Sequence, residues 1–133
     1  MGIEKRIYCA GFRNDLLDVL GGLDIGLISS VGSEANSPVS LEFMACGKPL
    51  IATTVGVIPE IIQHNEQGIL VSPANSKQLS EAMEKLIAEP ALRLRMGKAA
   101  RQRAVDYFSL EKFGSAMENV YAKLLRSSQN QCL

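Results

Sequence analysis

A loop, a helix and a strand follow one another in the stretch Ser33-Glu34-Ala35-Asn36-Ser37-Pro38-Val39-Ser40-Leu41-Glu42-Phe43-Met44-Ala45-Cys46-Gly47-Lys48-Pro49-Leu50-Ile51-Ala52-Thr53. Ser37 is a residue type that favours the N-cap of a helix, and Pro38 fits the first helical position. Gly47 can end this helix, and Pro49 prevents the chain from continuing it. The apolar run Leu50–Thr53 is typical of a buried strand. The stretch therefore predicts a helix that leads directly into a strand of an α/β fold.

Two carboxylates, Glu34 and Glu42, flank the start of this helix. Glu34 lies on the preceding loop, and Glu42 lies about one turn inside the helix, where side chains lean toward the N-terminus. We therefore expect both carboxylates to face one space, which free backbone N–H groups also face. Those N–H groups suit a phosphate, and the carboxylates suit hydroxyl groups. The alternative is structural: Glu34 is an ordinary loop residue, and Glu42 caps a neighbouring backbone group.

Length and composition limit the function classes. The chain has 133 residues, which is the size of one domain, and 47% of them are hydrophobic. Lys plus Arg and Asp plus Glu number 14 each, so no basic excess indicates a nucleic-acid partner. The three cysteines are widely scattered, which favours free thiols in a reducing cytoplasm and indicates no metal site. No long apolar run predicts a membrane span.

The segments before the quoted stretch predict two strands and a helix. We expect a strand within residues 3–10, a short helix after Asn14 or Asp15, and a central strand at residues 24–28. The carboxyl end of that central strand delivers residues 29–37. In open α/β sheets, ligands bind at this edge. The loop at residues 29–37 is therefore the predicted functional loop.

The later segments predict helices with apolar stripes. Asn75 and Gln78 have the spacing of a capping box, and Ser109 is a good N-cap for the last helix. His64 is expected to be a polar surface residue. Residues 127–133 are expected to form a flexible tail. The last helix carries an apolar stripe of Leu110, Phe113, Met117, Val120, Tyr121, Leu124 and Leu125.

The penultimate helix carries a basic group that consists of Arg93, Arg95, Lys98, Arg101 and Arg103. One interpretation is a solvated helix face. The other is a patch that meets an anionic membrane surface.

These residues resemble one protein family. The spacing of Glu34 and Glu42 is similar to the Glu-x7-Glu motif of GT-B-fold, family 4-type retaining glycosyltransferases. Other matches follow the family's order along nearly the whole chain: Gly11-Phe12-Arg13, Leu23-Asp24-Ile25-Gly26-Leu27, Met44-Ala45-Cys46-Gly47-Lys48-Pro49, Thr54-Val55-Gly56-Val57-Ile58-Pro59-Glu60, Gly68-Ile69-Leu70-Val71-Ser72-Pro73 and Phe108-Ser109. The resemblance is to the C-terminal, donor-binding part of such enzymes. It implies a partial Rossmann-like parallel sheet flanked by helices, over residues 1–126.

The resemblance also implies roles for individual residues. Glu34 matches the motif glutamate that contacts the transferred sugar, so it is the candidate catalytic residue. Glu42 matches the glutamate that binds ribose hydroxyls. The other candidate donor-binding residues are Ala35, Asn36, Ser37, Pro38, Val39 and Arg13. Backbone N–H groups of residues 35–39 are expected to meet the phosphates or the sugar, and the loop around Arg13 to lie near the base. For Arg13 the alternative is a solvated side chain in an ordinary turn.

This sequence departs from the family pattern at three positions. Ala35, Ser37 and Val57 stand where the family often has glycine. The family also uses an arginine and a lysine at the phosphates, and neither role is assigned to Arg13 or Lys48. The resemblance implies no essential metal and no cofactor, and it implies a nucleotide sugar as the donor substrate.

The chain is short for a GT-B enzyme, which has two Rossmann-like domains. We therefore expect the acceptor-binding N-terminal domain and the first units of the donor domain to be missing, and the isolated chain to lack activity. The implied function is sugar transfer to a glycan or lipid-linked acceptor, as in cell-envelope polysaccharide biosynthesis. The implied location is the cytoplasm, with the full enzyme at the inner face of the membrane.

Two other functions remain open. The chain could act alone as a nucleotide-binding or assembly module, and an open sheet edge or an exposed C-terminal stripe would then favour a homodimer. A receiver-type α/β domain is the third interpretation, but the acidic cluster expected after its first strand is absent.

Overall fold

Three short parallel strands form a sheet in the computed structural model, which describes residues 2–129. The elements follow in the order Glu4–Arg6 (a 3-10 turn), α1 (Leu16–Gly22), β1 (Gly26–Ile28), α2 (Pro38–Ala45), β2 (Leu50–Thr53), α3 (Ile58–Ile61), β3 (Gly68–Val71), α4 (Ser76–Ala88), α5 (Pro90–Phe108) and α6 (Leu110–Gln129). The strand order is β1-β2-β3, with Leu50 opposite Gly26 on one side and opposite Gly68 on the other. The predicted α/β class is confirmed.

Strand β2 divides the core into two layers. All four of its residues are buried, and successive side chains point to opposite faces of the sheet. One layer contains Leu20, Ile28, Phe43, Met44, Leu50, Ala52, Ile58, Ile61, Ile62, Ala100 and Ala104. The other contains Ile51, Ile69, Val71, Ala82, Leu86 and Met96. Helix α5 contributes to both layers and so joins the two faces of the sheet.

The predicted end of α2 is confirmed in detail. Gly47 has a left-handed φ of +67°. Its N–H donates to the Met44 carbonyl at 2.9 Å, and the Lys48 N–H donates to the Phe43 carbonyl at 3.0 Å. This pair of bonds is the Schellman motif, in which glycine takes the position that L side chains rarely adopt. The turn directs the chain straight into β2.

Helices α2 and α5 approach each other closely at two glycines. A Cβ atom at Gly97 would lie 2.2 Å from the Gly47 carbonyl oxygen, so only glycine fits there. One and two turns further along α5, Ala100 and Ala104 enter the core. The small residues therefore set the distance between the two helices.

A cation from another part of the chain binds the last-turn carbonyls of each of the helices α1 to α4. Lys48 Nζ donates to the Gly21 carbonyl at 2.7 Å, and Arg101 Nη1 donates to the Ala45 carbonyl at 2.6 Å. Arg103 donates through Nε to the Ile61 carbonyl at 2.8 Å and through Nη2 to the Glu60 carbonyl at 2.9 Å. Arg93 Nη1 donates to the carbonyls of Leu86 and Ile87 at 2.6 and 2.9 Å. Helix C-termini carry partial negative charge and unpaired carbonyls, which these cations satisfy.

Neither interpretation of the basic group on α5 describes it fully. Arg93, Arg101 and Arg103 bind helix C-termini, whereas Arg95 and Lys98 are exposed. The group therefore has mainly a structural role. The sequence did not indicate this, because the partner carbonyls lie up to 56 residues away.

Two predictions for the N-terminal region are wrong. Residues 3–10 form no strand; they contain the 3-10 turn, and Ile7 and Tyr8 are exposed. The strand predicted at residues 24–28 is confined to Gly26–Ile28, and it lies at the edge of the sheet instead of the centre. A strand needs a hydrogen-bonded neighbour, and a local apolar pattern does not supply one.

Of two predicted N-caps, that of α4 forms a side-chain capping bond and that of α1 does not. Asp15 occupies the N-cap of α1, but its side chain makes no capping bond. Asn75 caps α4 as predicted, since its Oδ1 accepts the Gln78 N–H at 3.0 Å. The side chain of Gln78 accepts the N–H of Ser72 at 2.8 Å, where a capping box would use the N–H of Asn75. The loop before α4 is thus tied to the helix.

Helix α6 runs to Gln129 and so passes residue 127, where the predicted tail begins. Residues 130–133 of that tail lie outside the described residues. Between residues 2 and 129, no helix combines the length and the apolar character that a membrane crossing requires.

Replacing Arg103 by methionine should lower the free energy of unfolding by about 1–2 kcal/mol, because two carbonyls at the end of α3 lose a charged donor. Methionine keeps much of the aliphatic stem. The matched control is Lys98→Met on the exposed side of the same helix, for which we expect less than about 0.5 kcal/mol. Urea unfolding followed by circular dichroism measures both. Equal losses in the two variants would contradict the capping role.

Candidate functional site

Two loops meet at the carboxyl ends of β1 and β2. One is the predicted functional loop at residues 29–37, and the other is residues 54–57. The Val57 N–H donates to the Glu34 carbonyl at 2.9 Å. Gly56 has a φ of +55°, and a Cβ atom there would lie 2.1 Å from the same carbonyl oxygen. The backbone of Glu34 is therefore held by close contact with the second loop.

The side chain of Glu34 has its own support. Ser30 Oγ donates a hydrogen bond to Glu34 Oε1. The Ser30 carbonyl in turn accepts the hydroxyl of Thr53 at 2.6 Å, and Thr53 is buried at the end of β2. Glu34, the candidate catalytic residue, is half-buried and connected through Ser30 to the sheet.

Ser37 stands at the N-cap of α2 as predicted, but it does not cap the helix with its side chain. Its φ is +32°, a left-handed conformation that favours glycine. Its buried hydroxyl pairs with that of Ser40 at 2.8 Å, which satisfies both groups inside the protein. The left-handed conformation gives a physical reason for the glycine that the family often has at this position.

The other candidate donor-binding residues of this loop surround the start of α2. Ala35, Asn36, Pro38 and Val39 are exposed. Within residues 2–129, no hydrogen bond uses the N–H groups of Ala35, Asn36 or Val39. Pro38 has no N–H to offer. The start of α2 thus presents unpaired donors beside Glu34, as an anionic group requires.

Glu42 lies in different surroundings. It lines a groove of about 900 Å³ between α1, α2, α5 and the start of α6, and Glu34 does not line that groove. The walls of the groove are mainly apolar and include Leu17, Leu41 and Phe108. The expectation that both carboxylates face one space stays a prediction.

Arg13 lies in the exposed N-terminal segment and pairs with Asp15. Its Nε donates to Asp15 Oδ1 at 2.7 Å, and its Nη2 donates to Oδ2. This bond lowers the pKa of Asp15 and raises the pKa of Arg13 relative to their ordinary values. The guanidinium is therefore engaged within its own loop, and no bond joins it to residues 29–37.

His64 is exposed, as predicted, and has a structural bond. Its Nδ1 accepts the N–H of Leu70 at 3.0 Å, on the outer edge of β3. The N–H of Asn65 donates to the Gly68 carbonyl on the same edge at 2.8 Å. Within residues 2–129, no three His, Cys, Asp or Glu side chains come together as metal ligands would.

The sequence did not single out Ser30, Thr53 or Gly56 individually. Ser30 is four residues before Glu34, and a hydroxyl at that distance carries no recognisable signal in a loop. Thr53 and Gly56 contact the first loop only because parallel strands place their carboxyl ends side by side. Gly56 could have been found from its place in the matched segment at residues 54–60.

Gly56→Ala should lower the free energy of unfolding by about 1–3 kcal/mol, because the new methyl group collides with Glu34 in a left-handed backbone. The amide resonances of Glu34 and Val57 should also shift strongly. The control is Gly32→Ala in the neighbouring loop, where an added Cβ meets no atom within 4 Å. Chemical unfolding and a two-dimensional amide spectrum test both variants. A neutral Gly56→Ala would show that the two loops are not packed as described.

The fold is shared with solved structures. The chain is similar to Anabaena Alr3699/HepE, crystallised with UDP, at a TM-score of 0.88, with 24% identity over 92% of this chain and 34% of that one. The same protein was also crystallised with UDP-glucose. The C-terminal domain of a glycosyl transferase group 1 family protein, LpcC from Francisella tularensis, has a TM-score of 0.68 and 29% identity, over 78% of this chain and 53% of that one.

The amino-acid sequence is also similar to that of known glycosyltransferases. The N-acetyl-alpha-D-glucosaminyl L-malate synthase of Bacillus anthracis is 34% identical over 128 residues, which are 96% of this chain and 33% of that protein. The chain thus spans about a third of the length of this relative. The family model described as glycosyl transferases group 1 matches residues 1–103. With its partial Rossmann-like sheet and its GT-B structural neighbours, the chain belongs to the group 1 glycosyl transferase family, as part of the C-terminal region.

Proposed function

We propose that the chain is the donor-binding portion of a retaining glycosyltransferase, which transfers a sugar from a nucleotide sugar to a glycan or lipid-linked acceptor. The observation that carries this proposal is the junction of the two loops. It holds Glu34 beside the unpaired N–H groups that precede and begin α2. A nucleotide sugar contains a sugar and a diphosphate. The carboxylate can accept hydrogen bonds from the sugar hydroxyls, and the N–H groups can donate to the anionic diphosphate.

Glu34 is assigned to the transferred sugar, and the N–H groups of Ala35, Asn36 and Val39 to the phosphates or the sugar. The complexes of HepE with UDP and UDP-glucose support a nucleotide sugar as the ligand of this fold. Glu42 is assigned to ribose hydroxyls. That role requires the nucleotide to reach the groove that Glu42 lines.

The isolated chain is proposed to lack transferase activity. A departing nucleoside diphosphate needs positive charge to stabilise it. Arg13 is paired with Asp15, and Lys48 binds the end of α1, so neither cation is available at the loop junction. The acceptor, the N-terminal acceptor-binding domain, and a cytoplasmic role at the membrane in cell-envelope synthesis belong to the proposal for the longer enzyme. The basic group on α5 gives that membrane role little support, because three of its five cations bind helix ends.

Two-dimensional amide NMR with UDP-, GDP- and ADP-sugars tests donor binding. We expect one of them to shift resonances at residues 32–42, and Glu42→Ala to weaken binding about tenfold, because a charged hydrogen-bond acceptor is lost. The control variant is Glu84→Ala on the exposed side of α4, which should bind as the unchanged chain does. A folded chain that ignores all three nucleotide sugars would contradict donor binding. Sugar transfer by the isolated chain would contradict the proposed inactivity.

A second candidate function is assembly through α6. The predicted last helix is present, and its apolar stripe is largely exposed: Leu110, Phe113, Val120 and Tyr121 each expose more than half of their surface. Contiguous exposed apolar surface often marks a site that binds another protein. We therefore propose that two copies of the chain associate through this stripe when no other surface covers it.

Sedimentation velocity over the micromolar range should show a concentration-dependent dimer. Phe113→Glu should shift the chain to monomer, because a charge in the stripe opposes burial of the apolar surface. Ser115→Glu places the same charge on another exposed side of α6 and should leave the dimer intact. A chain that remains monomeric throughout, or equal effects of the two variants, would contradict assembly through the stripe.

A further inference from the structure

The carboxylate of Glu34 is held at one oxygen only. Ser30 Oγ donates to Oε1, and within residues 2–129 no group hydrogen-bonds to Oε2. A carboxylate is planar, so fixing Oε1 in space also limits the directions that Oε2 can take. The carboxylate accepts and cannot donate, whereas the serine hydroxyl can donate, so the direction of the bond is unambiguous.

Ser30 is itself fixed from the sheet. Its carbonyl accepts the hydroxyl of Thr53 at 2.6 Å, and Thr53 is 4% exposed at the end of β2. The backbone carbonyl of Glu34 is bound separately by the N–H of Val57 at 2.9 Å. The loop between Ser30 and Glu34 is thus anchored at both ends, with one hydrogen bond across it between the two side chains.

We propose that Ser30 is a positioning residue for Glu34: it binds Oε1 and leaves Oε2 to accept one hydroxyl of the donor sugar. The inference rests on the proposed function, because it assigns Oε2 to the sugar of a nucleotide sugar. Its physical basis is preorganisation. A glutamate whose rotamer is already fixed loses less conformational entropy when it binds a hydroxyl, and its free oxygen is aimed before the ligand arrives.

The hydrogen bond is tested first without ligand. In the chain labelled with carbon-13 at glutamate, the Glu34 side-chain carboxyl resonance is identified by its absence in Glu34→Gln. Ser30→Ala should move this resonance and leave that of Glu42 in place. Thr53→Val should move it in the same direction through the loss of its bond to Ser30, whereas Thr53→Ser keeps the hydroxyl and should not. An unmoved Glu34 resonance in Ser30→Ala, in a chain that keeps its amide spectrum, would overturn the inference.

The positioning role is tested by comparing UDP-glucose with UDP, or the corresponding pair for the base that binds in the titration above. Ser30→Ala should weaken binding of the nucleotide sugar about 2- to 10-fold and leave binding of the free nucleotide unchanged. Ser30→Thr, which restores a hydroxyl, should recover most of the loss. Equal weakening of both ligands would mean a structural role for Ser30 and would overturn the inference.

Failure of the proposed function gives a different result. The unchanged chain would then bind neither the nucleotide sugar nor the nucleotide, even though Ser30→Ala still moves the Glu34 resonance. That result would overturn both the donor site and the sugar-directed role of Oε2. Loss of sugar-dependent binding together with a moved resonance supports both.

Discussion

The distance between α2 and α5 is the constraint on which much of the fold depends. Gly97 leaves no room for a side chain against the Gly47 carbonyl, so the two helices meet at backbone contact. Only at this distance do Ala100 and Ala104 fill the core layer beside β2. The same approach brings Arg101 to the last carbonyl of α2 and Arg103 to the end of α3. Helix packing and helix capping therefore depend on the same small residues.

The parts of the fold that were predictable are those with local causes. In the sequence, the start of α2 is marked by Ser37 and Pro38, and its end is marked by Gly47. The apolar run Leu50–Thr53 can likewise be recognised as a buried strand from its own residues. The N-terminal segment could not be predicted in this way. Its apolar residues have the composition of a strand, but pairing depends on a neighbour that the pattern does not name. The capping of other helices by arginines of α5 could not be predicted for a related reason. In the sequence, an arginine that will cap a helix cannot be distinguished from a solvent-exposed one, because the carbonyl that it binds lies elsewhere in the chain.

The candidate site shows the same division. Glu34 was located from its motif, and its loop lies where parallel strands end, as the topology requires. That the carboxylates of Glu34 and Glu42 face one space stays a prediction, because helix geometry places a side chain on a face without saying which neighbours cover that face. The departures from the family's glycines have different consequences. Val57 has a φ of −77°, an ordinary helical value, so a side chain is accommodated without strain, whereas Ser37 is held in a left-handed conformation. A residue other than glycine therefore causes no backbone strain at position 57, whereas it strains the backbone at position 37.

The two edges of the sheet differ in whether they can accept another strand. On the outer edge of β3, the N–H of Leu70 donates a hydrogen bond to the imidazole of His64, and the carbonyl of Gly68 accepts one from the N–H of Asn65. On β1, the opposite edge, no side chain within residues 2–129 bonds to the backbone, and Leu27 is 44% exposed. Edge strands with unoccupied backbone groups are templates for further pairing, and side chains that occupy those groups prevent it. A further strand can therefore pair with β1, beside the loop that carries Glu34, whereas the bonds on β3 block pairing at the opposite edge.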